Sequence, residues 1–166
     1  MSKFLFAAVA AMAFGAFAFA EDKKDDKKAE VLVKIVHVET GKVLAVEDDS
    51  DESEKPIVLA KDEVKAERQW KIVTDGEWLK IVHAKSGKVL DVNNASSDEG
   101  AQLIIWDAKD DDNDNQRFQW VGKGEEKRLK AKGSSLVLDL EKTNVVQKKS
   151  DEKSKSQTWK VVEVKK

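Results

Sequence analysis

Asp91, Trp106, Asn115 and Gln116 bring together a carboxylate, an indole and two amides. The Trp follows the Asp by fifteen residues, and the Asn and Gln follow the Trp by nine and ten. A carboxylate accepts hydrogen bonds from two neighbouring hydroxyls, an amide donates and accepts beside it, and an aromatic ring covers an apolar C–H face. A monosaccharide offers both surfaces, with hydroxyls on its rim and C–H groups on its face. Each residue also has a plain structural use. Asp91 can cap a turn, as Asp commonly does, and Gln116 can serve the scaffold. Trp106, between Ile105 and Asp107, is the more informative residue, because no other part of the chain repeats it.

Other combinations carry less. Asp110-Asp111-Asp112-Asn113-Asp114-Asn115 resembles a calcium loop, but an EF-hand needs Gly at its sixth position and Glu at its twelfth. Counted from Asp110 those positions hold Asn115 and Val121, so the segment reads as a solvated acidic loop. Asn94-Ala95-Ser96 fits a glycosylation sequon, a match that is common by chance. With no Cys, disulfides, thiolate nucleophiles and Cys-ligated zinc are excluded. No nucleophile–base pair and no opposed carboxylates stand out. A non-catalytic protein with no metal and no cofactor is expected.

The elements that position these residues come from a repeat. Residues 33–46 and 79–92 are identical at nine of fourteen positions, at an offset of 46. A weaker third copy lies 48 further on, where Leu129-Lys130-Ala131-Lys132-Gly133 leads to Val137-Leu138-Asp139-Leu140. Each copy closes on a β-rich tail with a bulky aromatic: Arg68-Gln69-Trp70, Gln116-Arg117-Phe118 and Gln157-Thr158-Trp159. His37 and His83 share one repeat position and Ala131 takes it in the third copy, which makes them strand residues of a duplicated scaffold. Short Val/Ile/Leu runs alternate with charged residues and are cut by Gly, Asn, Asp or Ser, a β pattern throughout. Thr40-Gly41 and Ser86-Gly87 sit where hairpin turns belong. One unit of about four short strands cannot bury its own face, so a closed three-fold arrangement is favoured over a propeller.

The Gln-x-Trp/Phe tails, the Ser-Gly-Lys-Val-Leu-Asp-Val strand pair and the three phased repeats resemble the ricin-type β-trefoil lectins. The resemblance implies an all-β trefoil domain over residues 31–166, with repeats of about 31–76, 77–124 and 125–166. It further implies a sugar site in repeat two. There Asp91 accepts from the sugar, Trp106 stacks, Asn115 bonds a hydroxyl, Gln116 braces Asp91 from behind, and Asn94 adds a contact. Three departures stand against the family pattern. Arg68 takes the place of the first Gln, no repeat carries a disulfide, and Ile104 is apolar where a polar contact is common. The other repeats act as internal controls. Repeat one has Ala45 and Ala60 at the places of Asp91 and Trp106, and repeat three keeps Asp139 and Gln157 but has Ser156 for Asn and no aromatic.

Composition sets the remaining expectations. Of 166 residues 37% are charged, and the net charge of −2 gives no basic excess for nucleic acid. Met1-Ser2-Lys3, the uncharged run to Phe19 and Ala18-Phe19-Ala20 read as a secretory signal over residues 1–20, an uncleaved anchor being the alternative. Residues 21–30 carry both charge signs with nothing to bury, which predicts a disordered lead-in. No later stretch approaches the roughly 18 apolar residues of a bilayer span. The sequence therefore predicts a secreted or periplasmic carbohydrate-binding protein, its partner a galactose-type or xylose-type sugar, glycan or polysaccharide. A protein-interaction or envelope-structural trefoil with a relic sugar site is the alternative, because the fold hosts many activities.

Overall fold

The computed structural model describes residues 31–165. The signal expected over residues 1–20 and the lead-in over 21–30 lie outside the described residues. Twelve strands follow in order: β1 Leu32–His37, β2 Val43–Val46, β3 Ile57–Ala60, β4 Trp70–Asp75, β5 Trp78–His83 and β6 Val89–Val92. The second half continues with β7 Leu103–Trp106, β8 Phe118–Val121, β9 Arg128–Ala131, β10 Val137–Glu141, β11 Asn144–Lys148 and β12 Trp159–Glu163. Among the described residues the only helical segments are 3-10 turns of three residues, and no helix is long and apolar enough to cross a membrane.

Six strands form a ring. β1 pairs with β12 and β4, β5 with β4 and β8, and β9 with β8, all antiparallel. The ring closes between β9 and β12 through the Lys127–Trp159 bridge. The other six strands make three hairpins, β2–β3, β6–β7 and β10–β11, that cap one end. This is a β-trefoil, the closed three-fold arrangement that the repeats imply. Val33–Trp70, Leu79–Phe118 and Lys127–Trp159 are the same ring contact made three times.

The repeat-closing aromatics Trp70, Phe118 and Trp159 are fully buried among Ile35, Leu44, Ile81, Leu90, Leu129 and Leu138. Burying an indole requires an acceptor for its N–H. Trp70 Nε1 donates to the Leu44 carbonyl at 3.0 Å and Trp159 Nε1 to that of Leu138 at 3.4 Å. Each Trp faces a buried His across the ring: His83 lies 5.2 Å from Trp70, and His37 lies 5.0 Å from Trp159. Phe118 faces Ala131 instead. Both imidazoles bridge a turn hydroxyl, Thr40 or Ser86, to a carbonyl, Ser156 or Glu67. Burial lowers both pKa values, partly opposed by those carbonyls. The histidines are scaffold, and Gly41 and Gly87 supply the positive φ of the turns that hold them (+67° and +73°).

The caps interlock. Pro56 bridges Ile104, Gln102 bridges Val146, and Asn144 bridges Val58, so each repeat docks the approach to its outer cap strand, or that strand's first residue, on the cap of the next. Glu54, Gly100 and Lys142 precede these contacts at equivalent places and share a positive φ of 69°, 85° and 60°.

Candidate functional site

Hairpin β6–β7 has two faces because side chains alternate along a strand. Leu90, Val92, Leu103 and Ile105 point into the core. The register pairs Asp91 with Ile104 and Val89 with Trp106, which puts Asp91, Ile104 and Trp106 on the opposite face. That face floors a cavity of about 500 Å³. Asp91, Trp106, Asn115 and Asn94 all line it, together with Ile104. Trp106 is partly exposed and is not among the core side chains, unlike the three closing aromatics.

The carboxylate at the base is held rigidly. The 3-10 turn Asp114–Gln116, just before β8, brings two amides to it. Asn115 Nδ2 donates to Asp91 Oδ1 at 2.8 Å, and Gln116 Nε2 donates to Oδ2 at 2.8 Å. Gln116 is itself fixed by donating to the Asp107 carbonyl at 3.0 Å and accepting the Lys109 N–H at 2.9 Å. It is fully buried and does not reach the cavity, so it braces Asp91 from behind. Asn115 also donates to the Val92 carbonyl at 3.3 Å, and its oxygen accepts from Lys109 Nζ at 3.4 Å, with a second lone pair left over. Each Asp91 oxygen has lone pairs beyond the one amide bond it accepts. Burial pushes the Asp91 pKa up, opposed in turn by Gln116, the Lys109 charge and Asn115. Asn94 sits on the rim, exposed, in the 3-10 turn Asn93–Ala95 at φ +57°.

Sequence reasoning passed over Glu54 and Lys109, which also line the cavity. Lys109 lies between Trp106 and Asn115, in a stretch where any charged residue reads as solvated. Glu54 comes from repeat one, and its arrival depends on the docked cap, for which no short-range signal exists. Its one visible trace is the alignment with Gly100, a residue type that marks special backbone.

The equivalent places elsewhere are built differently. In repeat one, Val43 pairs with Ala60 and Ala45 with Val58, so neither carboxylate nor indole is present. Arg68, at the Gln position, reaches Asp49 with Nε at 3.1 Å and Nη2 at 3.3 Å. In repeat three, Asp139 pairs with Val146 and Val137 with Lys148, so a lysine stands where Trp106 does. Asp139 accepts from Ser156 Oγ at 2.6 Å, the Leu140 N–H at 2.6 Å and Gln157 Nε2 at 2.9 Å. The acidic loop at 110–114 is held by Asn113, which donates to the Asp110 carbonyl at 2.8 Å, and its four aspartates are exposed.

Two family models match the chain. One, described as ricin-type beta-trefoil lectin domain-like, covers residues 17–106, and the ricin-type beta-trefoil lectin domain covers residues 77–166. No curated protein matches. Among solved structures the chain is similar to ThreeFoil, a designed three-fold symmetric protein. Identity is 30% and the TM-score 0.75, over 80% of this chain and 99% of that one. It is also similar to part of an exo-β-1,3-galactanase from Clostridium thermocellum, at 29% identity and TM-score 0.74, over 83% of this chain but 31% of the enzyme. A Polyporus squamosus lectin in complex with a sialylated influenza-binding epitope shares the fold at 18% identity and TM-score 0.68, over 80% of this chain and 48% of that one.

Proposed function

Because the chain belongs to the ricin-type β-trefoil lectin domain family, we propose that it is an exported, non-catalytic carbohydrate-binding protein with one competent site, the repeat-two cavity. One observation carries this reading: a braced carboxylate, a partly exposed indole and an amide oxygen line the same cavity. In the proposed mode two adjacent sugar hydroxyls donate to Asp91, and the C–H face of the ring lies on Trp106. Asn115 accepts a further hydroxyl through its oxygen, and Asn94 contacts the sugar from the rim. Gln116 touches no ligand and keeps the carboxylate in place. No reaction is assigned, since two amide N–H groups clamp the Asp91 oxygens as a fixed acceptor.

Galactose-type and xylose-type sugars are the proposed ligands. The stretch of the exo-β-1,3-galactanase that is 29% identical favours the first. A single stacking contact and a few solvent-competed hydrogen bonds give weak affinity for a monosaccharide, so useful binding comes from polyvalent glycans. Export to the periplasm or the medium follows from the signal read over residues 1–20. Titration with galactose, β-1,3-galactan fragments and xylan fragments tests the reading. Saturable binding is expected with at least one, and it should vanish in Asp91→Ala and fall sharply in Trp106→Ala. Binding that both variants retain would put the site elsewhere.

A further inference from the structure

The cavity of repeat two is completed by a residue of repeat one. The segment ahead of β3 runs along β7, where the Glu54 N–H donates to the Ile105 carbonyl at 2.9 Å and the Ile105 N–H to that of Lys55 at 3.1 Å. Glu54 is thereby held at φ +69°, a left-handed conformation that a non-glycine residue rarely adopts. Its side chain is exposed and lines the cavity mouth with Trp106. The two equivalent places make the contrast. Gly100, docked on repeat three through a bond to the Gln147 carbonyl at 2.8 Å, has no side chain, and Lys142, beside the Thr143 carbonyl that accepts from the Leu59 N–H at 2.8 Å, is of opposite charge.

Charges next to Glu54 and Trp106 along the chain are matched. Lys55 lies 3.6 Å from Glu52, Lys85 3.0 Å from Asp51, and Lys88 2.6 Å from Asp107. Deeper in, the positive Lys109 acts on Asp91. Among the described residues Glu54 has no ion pair or side-chain hydrogen bond, although Lys109 lines the same cavity. A free carboxylate and an indole lining one cavity both attract a cation, the first by its charge and the second through the ring quadrupole. It also repels an anionic sugar.

We propose that Glu54 is a specificity-determining residue of this cavity and makes it prefer a sugar bearing a protonated amine over the neutral or N-acetylated equivalent. The preference rests on the sugar-site reading above and adds to it the class of ligand. An ammonium group at the sugar edge pairs with Glu54, which no lysine among the described residues does, while hydroxyls engage Asp91.

The experiment titrates the whole protein with galactosamine, N-acetylgalactosamine and galactose, and with the glucose series, at low and high salt. The amine should bind about two- to fivefold more tightly than the neutral sugar, as an exposed charge contact gives, and the ratio should shrink with salt. Glu54→Gln should bring the ratio to about one. Glu54→Gly, which installs the residue found at the equivalent place and removes the backbone strain, should do the same. Neutral sugars bound with no amine preference, or a preference that Glu54→Gln retains, would overturn the role of Glu54 and leave the lectin reading standing. No binding of any sugar would overturn both.

Discussion

Asp91 and Asp139 occupy the same strand position, and a buried Gln two residues before a closing aromatic braces each of them. Their surroundings then diverge. Asp91 accepts one amide bond on each oxygen and fronts a cavity. Asp139 takes a hydroxyl and a backbone N–H on one oxygen and an amide on the other, and a lysine replaces the indole across the hairpin. The pKa directions follow: burial dominates at Asp91 and raises it, whereas at Asp139 burial is outweighed by Ser156, Gln157 and Leu140, which lower it. An aspartate at this position thus either keeps acceptor capacity open to a cavity or serves as an internal tie of the fold. What decides is how much of its hydrogen-bonding capacity the chain itself consumes.

The sharpest way to break this contrast is to remove each carboxylate. Asp91→Ala should lower glycan affinity about 100-fold or more, since two charge-assisted hydrogen bonds go at once. Asp139→Ala should leave affinity unchanged and cost about 1–3 kcal/mol of stability by orphaning its donors. Calorimetry and urea melts on the same samples separate the two. Next in size, Trp106→Ala should weaken binding about tenfold, the worth of an aromatic contact, with little change in the melting midpoint because the ring is partly exposed.

The opposite pKa shifts give a smaller, pH-dependent contrast. The proposed mode needs Asp91 ionised, so binding should fall on acidification at a pH above that of an ordinary aspartate, following one proton. Stability responds with opposite signs. Asp139, depressed in the fold, stabilises above its unfolded pKa, and that contribution is lost as pH falls through its folded value. Asp91, raised in the fold, loses its contribution as pH rises through that raised value. Asp139→Asn should therefore cost more stability at neutral pH than Asp91→Asn, and the gap should narrow in acid, as urea melts at both pH values will show. The smallest effect tests sufficiency. Lys148→Trp combined with Ser156→Asn should give repeat three weak sugar binding in an Asp91→Ala background, detectable by NMR shift changes. Its absence would mean that the tightly held Asp139 has no hydrogen-bonding capacity left for a ligand.

Much of this was legible in the chain. The repeated Lys-Ile-Val-His and Gly-Lys-Val-Leu segments and the three closing aromatics give the trefoil and its phase, because identical local contacts recur three times. Asp91, Trp106, Asn115 and Gln116 are legible because they hang on one hairpin and one adjoining turn. Glu54 was not, since its position depends on pairing between different repeats, and a lone glutamate in an acidic loop looks like any other. Nor was Asp49, which Arg68 engages in repeat one only because a 3-10 turn folds it back.

The docking of each repeat on the next has a consequence for how such a protein can diverge. Three separate copies of one repeat, assembled around the same axis, would carry the same residue at all three docking positions, and any change would alter all of them together. Joining the repeats in a single chain removes that restriction. Glu54, Gly100 and Lys142 differ in charge and size at one backbone position, so each docking position varies on its own, away from the shared core. Covalent linkage here confers independence of the three positions, and a designer wishing to give each repeat of a trefoil its own surface would begin with these three residues.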